Sequence, residues 1–201
     1  MRFRPVDAVD HFNTIADAYD SRFGDDCAQL HDLVLDRASA DGVSPSTVLD
    51  VGCGTGSLLA RVATDFPEAT LVGLDPAAAM VAVAAERVPG AVLHVGRAEE
   101  IPVASGTIDV AFCTTSFAQW FDQRAGLREV ARVLRPGGRL YLAEHLPPGW
   151  LTRLVYRVPH FRTADQLSGL LAQAALRAER METVRLPSID DDVLVVTAVS
   201  P

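Results

Sequence analysis

Cysteine is scarce in this chain of 201 residues: the three present, Cys27, Cys53 and Cys113, are odd in number and show no metal-ligand spacing. A disulfide-stapled scaffold and a thiolate-held metal are therefore not expected, and a reduced, cytoplasmic setting is. An excess of basic residues is missing as well. With 18 Lys and Arg against 26 Asp and Glu, the net charge is −8, which argues against a nucleic-acid backbone as the main partner. Charges or glycines interrupt every apolar run before it reaches the length of a membrane span, and the opening MRFRPVDAVDHF has no apolar signal core. Low-complexity stretches and internal repeats are lacking too. What remains, with 49% apolar residues, is a globular chain long enough to bury a core without staples, read as one domain.

After residue 46 the pattern alternates between strands and helices. Strands are expected over 47–52, 69–75, 91–96, 108–116 and 138–145. These are nearly continuous apolar runs, as in strands covered on both faces. Helical patterns fill the gaps at 57–66, 77–88 and 121–134, with Pro76 suited to a first turn and the run RPGG stopping the last helix. Such alternation implies a parallel sheet. Residues 163–176 read as a further helix with Thr163 as N-cap, and 179–186 and 192–200 as a strand pair. The fold class is thus α/β: a Rossmann-like, seven-stranded, mostly parallel sheet with one antiparallel strand near the C-terminus and helices on both faces. Residues 1–45 read as an N-terminal helical cap, with helices over 6–23 and 27–40 broken at the run GDD. Residues 46–145 form the cofactor-binding core and 146–201 the acceptor-side segment.

The run VLDVGCGTGSLL places Gly52, Gly54 and Gly56 directly after the first strand, with Asp50 two residues ahead. A bare loop between strand and helix lets a ligand approach the backbone, and the helix N-terminus offers unpaired N–H groups. A dinucleotide is one ligand for such a loop, but its G-x-G-x-x-G spacing is not kept: Ser57 holds the third position and the glycine falls one earlier. A carboxylate at Asp50 would also repel a pyrophosphate. It suits a ligand with no phosphates and a positive charge, and S-adenosylmethionine is of that kind.

The same run resembles the first motif of the class I S-adenosylmethionine-dependent methyltransferases. VGLDPAAAM is similar to the next motif, GRAEEIPVASGTIDVAFCTTSF and VARVLRPGGRLYLAE to later ones, and HFNTIADAYDSRF to the N-terminal helix of the branch acting on quinones and other small molecules. The resemblance implies that Asp50, Gly52, Cys53, Gly54 and Gly56 hold the methionine end of S-adenosylmethionine. It implies that Asp75 takes the ribose hydroxyls, which an ionised carboxylate can accept. Pro76 and Met80 are implied to contact the adenine, and Thr114 with Thr115 to face the methionine moiety. The family commonly has an acid where this chain has Arg97, which carries no acceptor. Either the Ala98 backbone N–H, with Glu99 nearby, reads the adenine edge, or the adenine end is held less specifically; Arg97 can also stack on the ring.

On the acceptor side, Tyr19, Gln119 and Trp120 are expected as pocket walls, together with the segment containing Trp150, Arg153, Tyr156, Arg157, Phe161 and Arg162. An amphipathic helix with a solvated basic face is the plainer reading of that segment. His145, after Glu144 at the end of the fifth strand, is the candidate base; His94 reads as core, and His11 and His31 as packing on the N-terminal helices. The expected activity is methyl transfer to an oxygen, nitrogen or carbon of a small molecule, by a monomer or homodimer. A catalytically silent protein of this fold is the alternative, with a nicotinamide-dependent oxidoreductase behind it.

Overall fold

The computed structural model describes residues 5–146, 161–186 and 191–201. Seven strands form one sheet: β1 (Thr47–Val51), β2 (Thr70–Asp75), β3 (Val92–Val95), β4 (Ile108–Thr114), β5 (Leu134–His145), β6 (Arg177–Leu186) and β7 (Asp191–Val199). Their spatial order is β3-β2-β1-β4-β5-β7-β6. Strands β1 to β5 pair in parallel, and β7 runs antiparallel to both β5 and β6. A single reversed strand near the C-terminus is what the polar, proline-containing connection predicts.

Alternation along the strands divides the core in two. Leu49, Val51, Ala111, Cys113, Leu140 and Leu142 face one side, covered by α5 (Gln123–Val133) and α6 (Ala164–Gln173). Val48, Val110, Phe112, Tyr141 and Ala143 face the other, under α2 (Tyr19–Ala40) and α3 (Ser57–Asp65). The period of two in each strand sends neighbouring side chains to opposite faces, so nearly continuous apolar runs are needed to cover both. A third, smaller cluster joins Ile15 and Ala16 to Ala77 and Met80, where α1 (Pro5–Ile15) lies on α4 (Ala78–Arg87).

Four expectations need correction. The N-terminal break falls at Ala16–Ala18, a single 3-10 turn, and α2 runs straight through Gly24, Asp25 and Asp26. A glycine inside a helix costs only about 1 kcal/mol relative to alanine. The continuous helix seats Leu30, Val34, Leu35 and Ala38 in the core, which outweighs that cost. Strand β3 is an edge strand, so Val92 and Val95 are 46% and 59% exposed, and His94 is half-buried rather than core. Strand β5 begins at Leu134, because RPGG forms an irregularity within the β4 pairing instead of a separate loop. Strand β4 ends at Thr114: Thr115 takes φ 51°, a left-handed conformation uncommon for a threonine, and turns the chain out of the sheet.

Candidate functional site

At the carboxyl ends of β1, β2 and β4 the glycine loop, the β4 exit and the N-terminal helices enclose two adjoining cavities. The larger holds about 700 Å³ of space, counting its open mouth, and the smaller about 390 Å³. Tyr19, Gly52, Gly54, Thr114 and Thr115 line both, so these residues stand at the junction.

Local sequence explains the loop. At Gly52 a Cβ would lie 2.3 Å from the Cβ of Ser116, so only glycine lets the loop close against the β4 exit. The Ser116 hydroxyl also donates to the carbonyl of Val51 at 2.7 Å. At Gly54, with φ 52°, a Cβ would meet no protein atom within 4 Å. That glycine faces open space, as a position approached by a ligand should.

The larger cavity is organised by Asp75. Its Oδ2 accepts from the Gly54 N–H at 3.0 Å and its Oδ1 from the Ala77 N–H at 2.8 Å. Burial raises its pKa, while those two backbone donors pull the other way. Pro76, Met80, Ala98 and Glu99 line the same cavity. Met80 is 2% exposed and packs within the small cluster under α1. Glu99 Oε1 accepts from the Asp122 N–H at 2.8 Å, while its buried Oε2 has no partner. The Arg97 guanidinium lies 4.0 Å from the centre of the Phe121 ring, and both residues line the cavity. Gln119 and Trp120 line it too, but Trp120 is only 6% exposed and packs edge-on against Phe117. A Cβ at Gly126 would collide with its ring at 2.4 Å.

The smaller cavity contains Asp50, Cys53, Thr55, Cys27 and His31. Asp50 is 2% exposed, and its Oδ1 has no hydrogen-bond partner. Burial, and then the nearby charge of Asp75, pushes its carboxyl up to about 8. Cys53 lies in the core behind the loop, its thiol pushed up by burial. The Tyr19 hydroxyl is 3.7 Å from the Cys27 sulfur, and burial raises both groups. Asp20 accepts from Thr55 at 2.7 Å and pairs with Arg87, which ties α2 to the glycine loop and to α4. Those bonds outweigh burial and hold its carboxyl below the usual range.

The predicted cofactor residues thus come together around the two cavities: Asp50 and Cys53 line the smaller, Asp75, Pro76, Met80, Ala98 and Glu99 the larger, and Gly52, Gly54 and Thr114 both. Gly56 lines neither; a Cβ there would lie 3.0 Å from that of Ala84, so it serves the packing of α3 on α4. His145 also lines neither cavity. Its neighbour Glu144 is buried, taking the Ala118 N–H at 2.9 Å on Oε2 and the His145 N–H at 3.0 Å on Oε1. The acid, not the histidine, braces the loop beyond β4. Sequence reasoning missed Ala8, Val9 and Phe12 over the larger cavity and His31 in the smaller. The expected break at GDD hid the face of α2 that carries Asp20, Gly24, Cys27 and His31. Trp150, Arg153, Tyr156 and Arg157 lie outside the described residues; Arg162 donates to Gln123 at 2.6 Å.

Residues 48–138 match the family model described as a methyltransferase domain. Among similar proteins, a malonyl-[acyl-carrier protein] O-methyltransferase of Hahella chejuensis is 33% identical over 156 residues, covering 70% of this chain and 54% of the relative. A demethylmenaquinone methyltransferase of Thermus thermophilus is 34% identical over 146 residues, covering 70% of this chain and 64% of the relative. The chain therefore spans less than two thirds of the length of either. Its fold is also that of a Haloferax volcanii methyltransferase solved in complex with the Trm112 methyltransferase activator. That comparison gives a TM-score of 0.78 at 20% identity, covering 94% of this chain and 97% of the other.

Proposed function

We propose that the chain binds S-adenosylmethionine across both cavities and catalyses transfer of its methyl group to a small-molecule acceptor. The observation that carries this reading is the pairing of two carboxyl groups, half-buried Asp75 in the larger cavity and buried Asp50 in the smaller, on either side of a bare glycine loop. The residues fit the cofactor. Asp75 would receive the ribose hydroxyls on the lone pairs its backbone donors leave open. Pro76 and Met80 would flank the adenine, and the unpartnered Glu99 Oε2 would accept from its amino group in place of the acid missing at Arg97. At the other end, the unpartnered Asp50 Oδ1 would receive the ammonium.

When bound, the cofactor supplies a methyl group already activated by its sulfonium. The chain's own contribution is positioning, exclusion of water and a neutral junction. Tyr19, Thr114 and Thr115 stand at that junction, and Tyr19 and Cys27 both keep their protons at neutral pH. Among the described residues lining it, none is suited to take a proton from the acceptor. The acceptor class this favours brings its own nucleophile: a carboxylate, a phenolate or a stabilised carbanion. The names of the two relatives, a malonyl O-methyltransferase and a demethylmenaquinone methyltransferase, agree with small acceptors of this kind.

The test is transfer of labelled methyl from S-adenosylmethionine to a panel of malonyl thioesters, hydroquinones and primary amines. Turnover on the first two, with a pH profile following the acceptor's own ionisation, is expected. Methylation of the amines alone, rising with a titrating enzyme group, would contradict the reading.

A further inference from the structure

His31 has no part in the scheme above, yet it is built into the smaller cavity. It lies on the same face of α2 as Asp20, Gly24 and Cys27, is 5% exposed, and its Nδ1 has no hydrogen-bond partner. The Asp50 Oδ1 in that cavity is equally without one. Two buried, unpartnered polar atoms in one cavity are costly in a folded protein unless a ligand uses them.

The charges around His31 are mixed. From α3, Arg61 opposes a charge on the ring; from α2, Asp32 and Asp20 favour one. Arg61 is engaged by Asp32 and by the carbonyl of Ala28, and Asp20 by Thr55 and Arg87. From β1 comes Asp50, from the glycine loop Cys53, and from α2 again Cys27 and Tyr19; burial holds the protons of Cys53, Cys27 and Tyr19. Thr114 and Thr115, from the β4 exit, do not titrate. Burial dominates at His31 and holds it neutral down to about 4. Since Asp50 is pushed up to about 8, the pair is uncharged at neutral pH before the ligand arrives.

We propose that the smaller cavity takes both charges of the cofactor's amino-acid end, its ammonium on Asp50 and its carboxylate on His31, and that a proton passes from Asp50 to His31 as that end seats. This rests on the reading that the chain binds S-adenosylmethionine. The physical reason is that a zwitterion brings a positive charge to the carboxyl and a negative one to the imidazole, and each favours the ionised form of its neighbour. The Asp50 O–H bond breaks and an N–H bond forms on His31, directly or through solvent. One proton is lost and one gained, so the buffer exchanges almost none. The empty cavity thereby holds no buried charge, and the filled one holds two matched pairs.

The experiment is isothermal titration of S-adenosylhomocysteine at pH 7 in two buffers of different ionisation enthalpy, which counts protons exchanged per ligand bound. Native protein should exchange close to none. His31→Gln should release about one, because Asp50 still ionises, and should bind about 10-fold or more weakly, the scale of a lost charged hydrogen bond. Asp50→Asn should take up about one. Equal proton counts in native protein and His31→Gln would overturn the proposal. Nitrogen NMR of native protein is the second measurement, for the case in which a variant does not fold: the His31 ring should pass from neutral to imidazolium on saturation, and an unchanged neutral ring would overturn it. Native protein that shows no saturable binding would instead defeat the cofactor reading itself, which separates the two failures.

Discussion

The cofactor side and the acceptor side of the cavities are built from different chemistry. The first is crowded with acids, buried Asp50 and half-buried Asp75 and Glu99, each with its oxygens fixed by backbone N–H groups or left open for a ligand. The junction beyond it is neutral: Tyr19 held protonated and the Thr114 and Thr115 hydroxyls, flanked by protonated Cys27 in the smaller cavity and by Gln119 in the larger, which donates to the Thr115 carbonyl at 3.3 Å. Binding is thus assigned to charge, and catalysis to placement.

The comparison breaks most sharply at the glycine loop. Gly54→Val puts a side chain where the protein leaves open space, so binding of S-adenosylhomocysteine should fall beyond detection in calorimetry. The left-handed φ there adds strain of about 1–2 kcal/mol, so a modest drop in melting temperature is expected alongside. Retained binding would place the ligand elsewhere. Next in size is Asp75→Ala, which should weaken S-adenosylhomocysteine by about 1–3 kcal/mol, with a modest drop in melting temperature because the Gly54 and Ala77 N–H groups lose their acceptor. An unchanged dissociation constant would remove the ribose role.

The two buried groups of the smaller cavity sharpen the contrast through pH. Asp50 has a folded pKa raised to about 8, so its contribution to stability is complete below the ordinary aspartate range and is lost as pH rises towards 8. His31, lowered to about 4, acts in the opposite sense: its contribution is complete above about 6.5 and is lost as pH falls towards 4. In thermal unfolding across pH 4 to 9, Asp50→Asn should therefore remove a decline in stability that runs from about pH 4 to about 8, and His31→Gln a rise that runs from about 4 to about 6.5. Identical pH curves for native protein and both variants would contradict the assigned burial. The smallest effect belongs to His145→Ala. Since that side chain lines neither cavity, turnover should stay within a few-fold of native with an unchanged pH profile. A drop of about 10²-fold or more, the usual worth of a positioned base, would return His145 to the chemistry.

The glycine loop and the acids that line the two cavities were legible in the sequence because their determinants are local. A glycine that must accept a close approach, an acid at a strand end and a helix starting just beyond all sit within a few residues of one another. The strand and helix order followed for the same reason, down to the reversed β7. What was not legible depends on neighbours distant in the chain. Nothing in VLHV announces that β3 lies at the edge of the sheet. The Glu144-His145 pair shows two polar residues at a strand end, but which one turns inward depends on strand alternation and on the Ala118 N–H waiting 2.9 Å away. His31 looked like helix packing because its partner in the cavity, Asp50, is 19 residues further along and reached only through the fold. The unbroken α2 is a tertiary effect of the same kind, with core contacts outweighing the local cost of Gly24.

The central claim is that the two cavities together hold one molecule of S-adenosylmethionine or its product. Isothermal titration of native protein with S-adenosylhomocysteine, repeated in the presence of an excess of NAD, tests it most directly. The account predicts saturable one-to-one binding that the dinucleotide does not displace. No saturable binding, or displacement by the dinucleotide, would contradict it.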